Sequence, residues 1–314
     1  MTAPPARVVF LGSGGFAVPL LYRLGHLPEV DVVGVVSTPA KPAGRKGMLK
    51  PVPVAVAART RKVPLMTPPR VRDPRAIEAI RELEPDLGIL ADFGQIVPQA
   101  LLDVPRHGFL NLHPSLLPRH RGATPIPATI LSGDAVGGVS IIEMDAGLDT
   151  GPIVASEKWV LDGDETASEL EARAAGVAAG LLAAWIGPWL GGEVEAMPQG
   201  DAGATLTRPL RREDGRLDVW LTAKELERQV RAYQPWPGSF VETAGGRLVI
   251  WAATVEGPTR ETLPGTFDDG PALRLATATT WLRLDEVQPA GGRRMPGDAW
   301  LRGRPAVAGT IVTG

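Results

Sequence analysis

Phe109–Asp134 reads FLNLHPSLLPRHRGATPIPATILSGD, and Gly138–Gly151 reads GVSIIEMDAGLDTG. The first residues, Phe109 to Leu112, form a short apolar run of strand character, and alternation along a strand sends Asn111 and His113 to the same face. Two polar groups thus leave one strand end together. Pro114 and Pro118 cannot donate ladder hydrogen bonds and restrict the residues before them, so Ser115–Gly122 is expected to leave the sheet as an irregular, stiff loop. A second apolar run, Val139 to Met144, then delivers Asp149 between Gly147 and Gly151, both able to turn tightly.

An amide, an imidazole and a carboxylate in this setting suit a site that polarises a carbonyl, moves a proton and holds the imidazole in one tautomer. Each residue alone has an ordinary explanation. A lone histidine beside a strand end is usually a satisfied polar group, and an aspartate between glycines is usually a turn former. Their combination with the proline-rich loop points to chemistry.

Working outward, RVVFLG (Arg7–Gly12) reads as a buried strand. SGGFAVPLLYRLGHL reads as a glycine turn opening a helix with Val18, Leu21, Leu24 and Leu27 at helical spacing, and VDVVGVVS (Val30–Ser37) as the next strand. Strand, helix, strand in that order predicts a parallel unit with a right-handed crossover. Gly12-x-Gly14-x-x-Ala17 fits a dinucleotide fingerprint. An NAD site needs an acid about 20 residues on, and the second strand ends in Ser37 and Thr38 instead. NADP remains an alternative, because Lys41, Arg45 and Lys46 would meet a 2′-phosphate.

Val52–Lys62 and Pro74–Leu83 read as helices around a short strand at Val63–Met66, and Asp86–Ala91 as a further buried strand. Pro39–Pro51 carries four basic residues and no acid, with enough Pro and Gly to predict irregular structure. Such a loop binds phosphates by charge, without sequence information. Ile153–Leu161 reads as another strand and Ala167–Leu190 as a long helix closing the first domain. The glycine-rich 191–205 reads as a linker. Beyond it a helix at Thr222–Tyr233 and short alternating runs such as RLVIWAATV predict a small OB-like β-barrel, with Trp236 as an interdomain or core anchor. The expected fold class is therefore α/β: a Rossmann-like, mostly parallel sheet domain (1–190), a linker (191–205) and an OB-like barrel (206–314).

With 314 residues, 44% hydrophobic and 22% charged, the composition is that of a soluble globular protein. No cysteine is present, which excludes disulfides, thiolate nucleophiles and Cys-based metal sites, and the four histidines show no metal-ligand spacing. The N-terminal apolar run is too short for a signal peptide or a membrane span, so a cytoplasmic location is expected. A net charge of -2 gives no global pull toward nucleic acid, so an RNA partner would need a local patch. From residue 201 onward there are 15 basic against 14 acidic residues, and before it 18 against 21, too small an asymmetry to signal RNA binding.

NLHPSLLPRHRGATPI (Asn111–Ile126) and GVSIIEMDAGLDTGPI (Gly138–Ile153) resemble the two long signatures of the folate-dependent formyltransferases. The resemblance extends through STPAKPAGRKG, FGQIVPQALLDVPRHG and RAYQPWPGSF, nearly the whole chain. It implies Asn111, His113 and Asp149 as the catalytic residues. Ser115, Leu116, Leu117 and Pro118 would form the folate pocket, and the co-substrate would be 10-formyltetrahydrofolate, with no metal and no nicotinamide. The basic loop, Lys41, Arg45 and Lys46, would reach a tRNA acceptor end, Arg45 within PAGR matching best. The implied reaction is formyl transfer to the amino group of methionyl initiator tRNA, by a monomer away from membranes, for translation initiation. An amino-sugar nucleotide or another small amine is the alternative acceptor, and an NADP-dependent oxidoreductase the more distant reading. Two positions depart from the family pattern: Ala40, where an acid is usual, and Asp92, where a small residue is usual.

Overall fold

The computed structural model describes residues 4–43, 47–258, 262–304 and 310–312. Elements in the first part of the chain are β1 (Ala6–Gly12), α1 (Ala17–Leu24), β2 (Val30–Val36), β3 (Lys41–Ala43), β4 (Met48–Lys50), α2 (Pro53–Thr60), β5 (Leu65–Met66), α3 (Pro74–Arg81), β6 (Leu87–Ala91), α4 (Gln99–Leu102) and β7 (Phe109–His113). There follow β8 (Arg121–Gly122), α5 (Pro125–Ser132), β9 (Val136–Glu143), β10 (Ile153–Val160), α6 (Ala167–Leu190) and β11 (Leu206–Thr207). The last part holds α7 (Ala223–Ala232), β12 (Ser239–Thr243), β13 (Gly246–Pro258), β14 (Arg274–Ala276), β15 (Thr280–Pro289), β16 (Met295–Pro296) and α8 (Gly297–Arg302). The chain divides into two compact units. One comprises residues 1–125, 136–160 and 171–208, and the other 126–135, 161–170 and 209–314.

The first unit is built on a seven-stranded sheet in the order β10-β9-β7-β6-β1-β2-β5. Pairing is parallel from β7 through β5 and antiparallel at β7/β9 and β9/β10. Val8, Val9, Phe10 and Leu11 are fully buried, as a strand covered on both faces requires. Gly88 on β6 makes room for a neighbour, since a Cβ there would lie 2.1 Å from the Phe109 ring. Helix α3 starts at Pro74 with Asp73 accepting a hydrogen bond from Arg75 N (3.0 Å), and it buries Ile77 and Ile80. Helix α6 is long and apolar enough to cross a membrane by length and composition. Along it Leu170, Ala174, Ala178, Leu182 and Ile186 are buried at four-residue intervals, the stripe of a core helix.

The second unit carries an antiparallel sheet in the order β12-β13-β15-β14, with β16 paired to β15. Its core joins Leu226 and Val230 of α7 to Val241, Leu248, Ile250, Leu282, Leu284 and Trp300. Helix α7 begins with a capping box: Thr222 Oγ1 accepts from Glu225 N (3.2 Å) and Glu225 Oε2 accepts from Thr222 N (2.8 Å). Mostly parallel sheet followed by a small antiparallel β unit is the architecture expected from the sequence.

Three local differences matter. Pro39–Pro51 is not irregular throughout: Lys41–Ala43 (β3) and Met48–Lys50 (β4) pair antiparallel, with residues 44–46 outside the described residues. Trp236 is 54% exposed and is not a core anchor of its unit, a role taken by Trp300. Residues 197–207, within and just past the stretch read as a linker, are bonded into the first unit. Met197 exchanges backbone hydrogen bonds with Ile153 (2.7 and 2.8 Å), and β11 pairs with β8.

Candidate active site

Asn111 and His113 project from the carboxyl-terminal end of β7, where ligands collect in open α/β sheets. Both are nearly sealed, at 6% and 5% exposure. Asp149 arrives on the loop between β9 and β10, at φ 54, a left-handed conformation that Asp tolerates better than most residues. Around it Asp145 accepts from Thr150 Oγ1 (2.9 Å) and from Gly147 N (3.0 Å), so the loop is braced internally.

The three groups converge. Asn111 Nδ2 donates to Asp149 Oδ1 at 3.0 Å across 38 residues of sequence. Asp149 Oδ2 accepts from Gly122 N at 2.8 Å and lies 3.6 Å from His113 Nδ1. The orientation of the imidazole is set elsewhere: His113 Nε2 is 2.9 Å from the His120 carbonyl oxygen. A carbonyl only accepts, so the proton sits on Nε2, and Nδ1 is left facing the carboxylate. The Asn111 amide nitrogen carries a second hydrogen beyond the one given to Asp149. The cluster therefore brings together one neutral donor, one imidazole nitrogen and one carboxylate.

The Ser115–Pro118 segment is fixed by its own polar groups. Ser115 Oγ donates to the Arg119 carbonyl (2.7 Å), Ser140 Oγ donates to the Ser115 carbonyl (2.9 Å), and Leu117 N donates to Ser140 Oγ (3.2 Å). The Leu117–Pro118 peptide is cis. Leu116 lies over Gly138 of β9, whose Cβ, if present, would stand 2.2 Å from the leucine Cδ2. Lys41 lies on β3; Arg45 and Lys46 lie outside the described residues.

Sequence reasoning missed the residues that hold the acid in place. Gln199 Nε2 donates to the carbonyls of Asp149 (2.9 Å) and Gly151 (2.7 Å), while its Oε1 accepts from Arg121 Nε (3.1 Å) and Nη2 (2.9 Å). Thr205 Oγ1 accepts from His120 N (2.8 Å), and Thr207 Oγ1 donates to the Arg121 carbonyl (3.0 Å). Gly122 sits at φ 105, and a Cβ there would lie 2.3 Å from the Thr207 carbonyl oxygen. Gly122→Ala is expected to cost about 2 kcal/mol, from strain at a left-handed position plus backbone contact, and to lower kcat by shifting the N–H that Asp149 uses. Thermal unfolding with steady-state kinetics would check both effects, and an unchanged melting temperature would refute the packing argument.

A cavity of about 630 Å³ opens elsewhere, lined among others by Val36, Met66, Arg70, Arg75 and Ile80, and contains none of the three residues. The chemistry is located by the converging groups, not by hollow volume. Among the described residues no set of three or more His, Cys, Asp or Glu side chains is arranged to hold a metal ion.

Comparison with known proteins follows the same lines. Residues 6–185 match the formyl transferase family, and residues 209–305 match the formyl transferase C-terminal domain. The chain is 41% identical to the methionyl-tRNA formyltransferase of Chloroflexus aurantiacus over 304 residues, 95% of this chain and 96% of that one. It is 42% identical to that of Gluconacetobacter diazotrophicus over 307 residues, 97% and 98% of the two chains. Among solved structures, an N-formyltransferase from Helicobacter canadensis, in complex with folinic acid and dTDP-3-aminofucose, superposes with a TM-score of 0.66 at 16% identity, covering 89% of this chain and 98% of that one. HypX from Aquifex aeolicus, in complex with tetrahydrofolic acid, gives 0.59 at 17% identity, covering 94% of this chain and 47% of the other. These two likenesses are of fold. Two family matches that together take in most of the chain, and identities near 40% over nearly all of it, make this chain a member of the methionyl-tRNA formyltransferases within the formyl transferase family.

Proposed function

We infer that the chain transfers the formyl group of 10-formyltetrahydrofolate to the α-amino group of methionyl initiator tRNA, giving N-formylmethionyl-tRNA for translation initiation. The observation that carries the acceptor is the full-length match, in which the second unit is included; the observation that supports the chemistry is the Asn111–Asp149–His113 cluster.

The uncharged amine attacks the formyl carbon, and the carbonyl π pair moves onto oxygen. The C–N10 bond then breaks as N10 gains a proton, and the amine nitrogen gives one up. Asn111 donates its second amide hydrogen to the developing oxyanion. His113, whose Nε2–H is held by the His120 carbonyl, has a free Nδ1 that takes the proton the amine nitrogen gives up and relays it toward N10. Asp149 holds the Asn111 amide in register and receives positive charge beside it. The 3.6 Å to His113 is too long for a direct hydrogen bond and leaves the link to a bridging water or a shift on substrate binding. Ser115 to Pro118 supply a rigid wall for the folate, by backbone groups and the Leu116 and Leu117 side chains. Lys41, Arg45 and Lys46 contribute phosphate contacts to the acceptor arm. The enzyme works in the cytoplasm as a monomer and needs neither metal nor nicotinamide.

A panel of acceptors tests this reading. With 10-formyltetrahydrofolate as donor, transfer to methionyl initiator tRNA is expected to exceed transfer to glycinamide ribonucleotide or a 4-amino sugar nucleotide by at least ~10² in kcat/KM. Comparable or faster transfer to either small amine would overturn the assignment of the acceptor.

A further inference from the structure

The turn Gly12–Gly15 joins β1 to α1 at the carboxyl end of the sheet. A strand, a glycine run and a helix start make up the arrangement that binds phosphate in many α/β proteins, through N–H groups and the positive helix end. No side chain caps helix α1 at its N-cap, Phe16, and of its first-turn groups Val18 N bonds the Gly15 carbonyl (3.2 Å) while Pro19 has no N–H.

Two acids of this chain stand on the turn. Asp92 follows β6, the strand beside β1, and lies at φ 44. Its carbonyl accepts from Ser13 N (2.9 Å) and Gly14 N (3.2 Å), occupying two donors that an anion would use. Its carboxylate lies against Gly14 so closely that a Cβ there would fall 1.5 Å from Oδ2. Glu171 of α6 covers the next residue, with Oε1 3.0 Å from where a Cβ on Gly15 would be. Burial is the first cause that pushes the Asp92 carboxyl up to about 6, followed by the charge of Glu171, with Lys41 opposing. Glu171 is raised as well, by burial. Asp92 as a residue is exposed, while its carboxyl is crowded by protein atoms. A place where two carboxylates already oppose each other does not admit a phosphate dianion.

We propose that Asp92 and Glu171 are specificity-determining residues that keep phosphate monoesters off the glycine turn, so that small phosphorylated amines are refused as formyl acceptors. The inference rests on the formyl-transfer reading of this crevice and narrows its acceptor class to amines with no terminal phosphate to place on that turn. The same two acids work against a dinucleotide at the Gly12-x-Gly14-x-x-Ala17 sequence, since the pyrophosphate would need the donors and space that Asp92 occupies.

The test uses the full-length chain as Asp92→Gly and, separately, Glu171→Gln. Glycine suits the left-handed backbone and retains the carbonyl that binds Ser13 and Gly14; Val18 N is bonded to the Gly15 carbonyl and Pro19 has no N–H, so the N–H groups of Gly15, Phe16 and Ala17 are those left to an anion. Inorganic phosphate is titrated calorimetrically into each protein at fixed ionic strength, and glycinamide ribonucleotide is offered as acceptor beside methionyl-tRNA. The expected result is an affinity for phosphate at least ~10-fold tighter in each variant than in the parent, with a matching gain in kcat/KM for glycinamide ribonucleotide. Equal phosphate affinity in parent and variants overturns the proposal, as does a parent that already binds phosphate as tightly. Failure of the parent to formylate methionyl-tRNA would overturn the acceptor reading instead, and the calorimetric comparison would still decide the role of the two acids. If Asp92→Gly loses its cooperative thermal transition, Glu171→Gln carries the decision alone.

Discussion

Asp149→Asn is expected to lower kcat by about 10²–10³-fold while leaving the melting temperature within a few degrees of the parent, because removing a preorganised charge from such a site typically costs that much. The carboxylate accepts from two fixed donors, Asn111 Nδ2 on one oxygen and Gly122 N on the other. An asparagine has one oxygen to offer, so its NH₂ must face either an amide or a backbone N–H, donor against donor. Whichever way the new side chain turns, Asn111 or Gly122 loses its partner, and the negative charge beside His113 Nδ1 is gone. Single-turnover measurement of formyl transfer separates this from a binding defect. A variant retaining more than about a tenth of the parental rate would exclude Asp149 from the chemistry.

His113→Ala is expected to have an effect of similar size on kcat, about 10²–10³-fold, with a smaller change in KM for folate. The imidazole is 5% exposed and its Nε2 meets the His120 carbonyl, so truncation removes the reactive nitrogen and leaves a buried carbonyl to find water. His113→Gln separates the two losses. The glutamine amide can still donate to that carbonyl but cannot act as a base, so it should recover stability and not rate. Recovery of rate by His113→Gln would mean that hydrogen bonding alone, without proton transfer, accounts for the residue.

The parts of this molecule that announce themselves in sequence are those whose side chains set a local pattern. The apolar runs of β1 and β7 are buried as strands covered on both faces, and α6, read from its alanine and leucine density, is one continuous helix. The turn at Gly122 does not announce itself, because its contribution is a backbone N–H, a group every residue but proline carries. Gln199 and Thr205 were equally silent. Each bonds to partners 48 to 85 residues away in sequence, and no local pattern marks a side chain that works at such range. The β3–β4 pairing is illegible for a different reason: Pro and Gly argue against regular structure on average, yet two short three-residue strands tolerate a proline at Pro42. Asp92 was visible as a departure from the family pattern, but its seat on the glycine turn required the neighbouring strand to be placed.

The pairing of β8 with β11 bears on what a minimal catalytic fragment must contain. A piece of chain ending with α6 at Leu190 would keep the seven-stranded sheet and all three proposed catalytic side chains, and the first family match itself ends at residue 185. It would lack Gln199, Thr205 and Thr207, and with them the clasp on Asp149, His120 and Arg121. Anyone trimming this enzyme to its sheet would obtain the right residues on an unfastened loop.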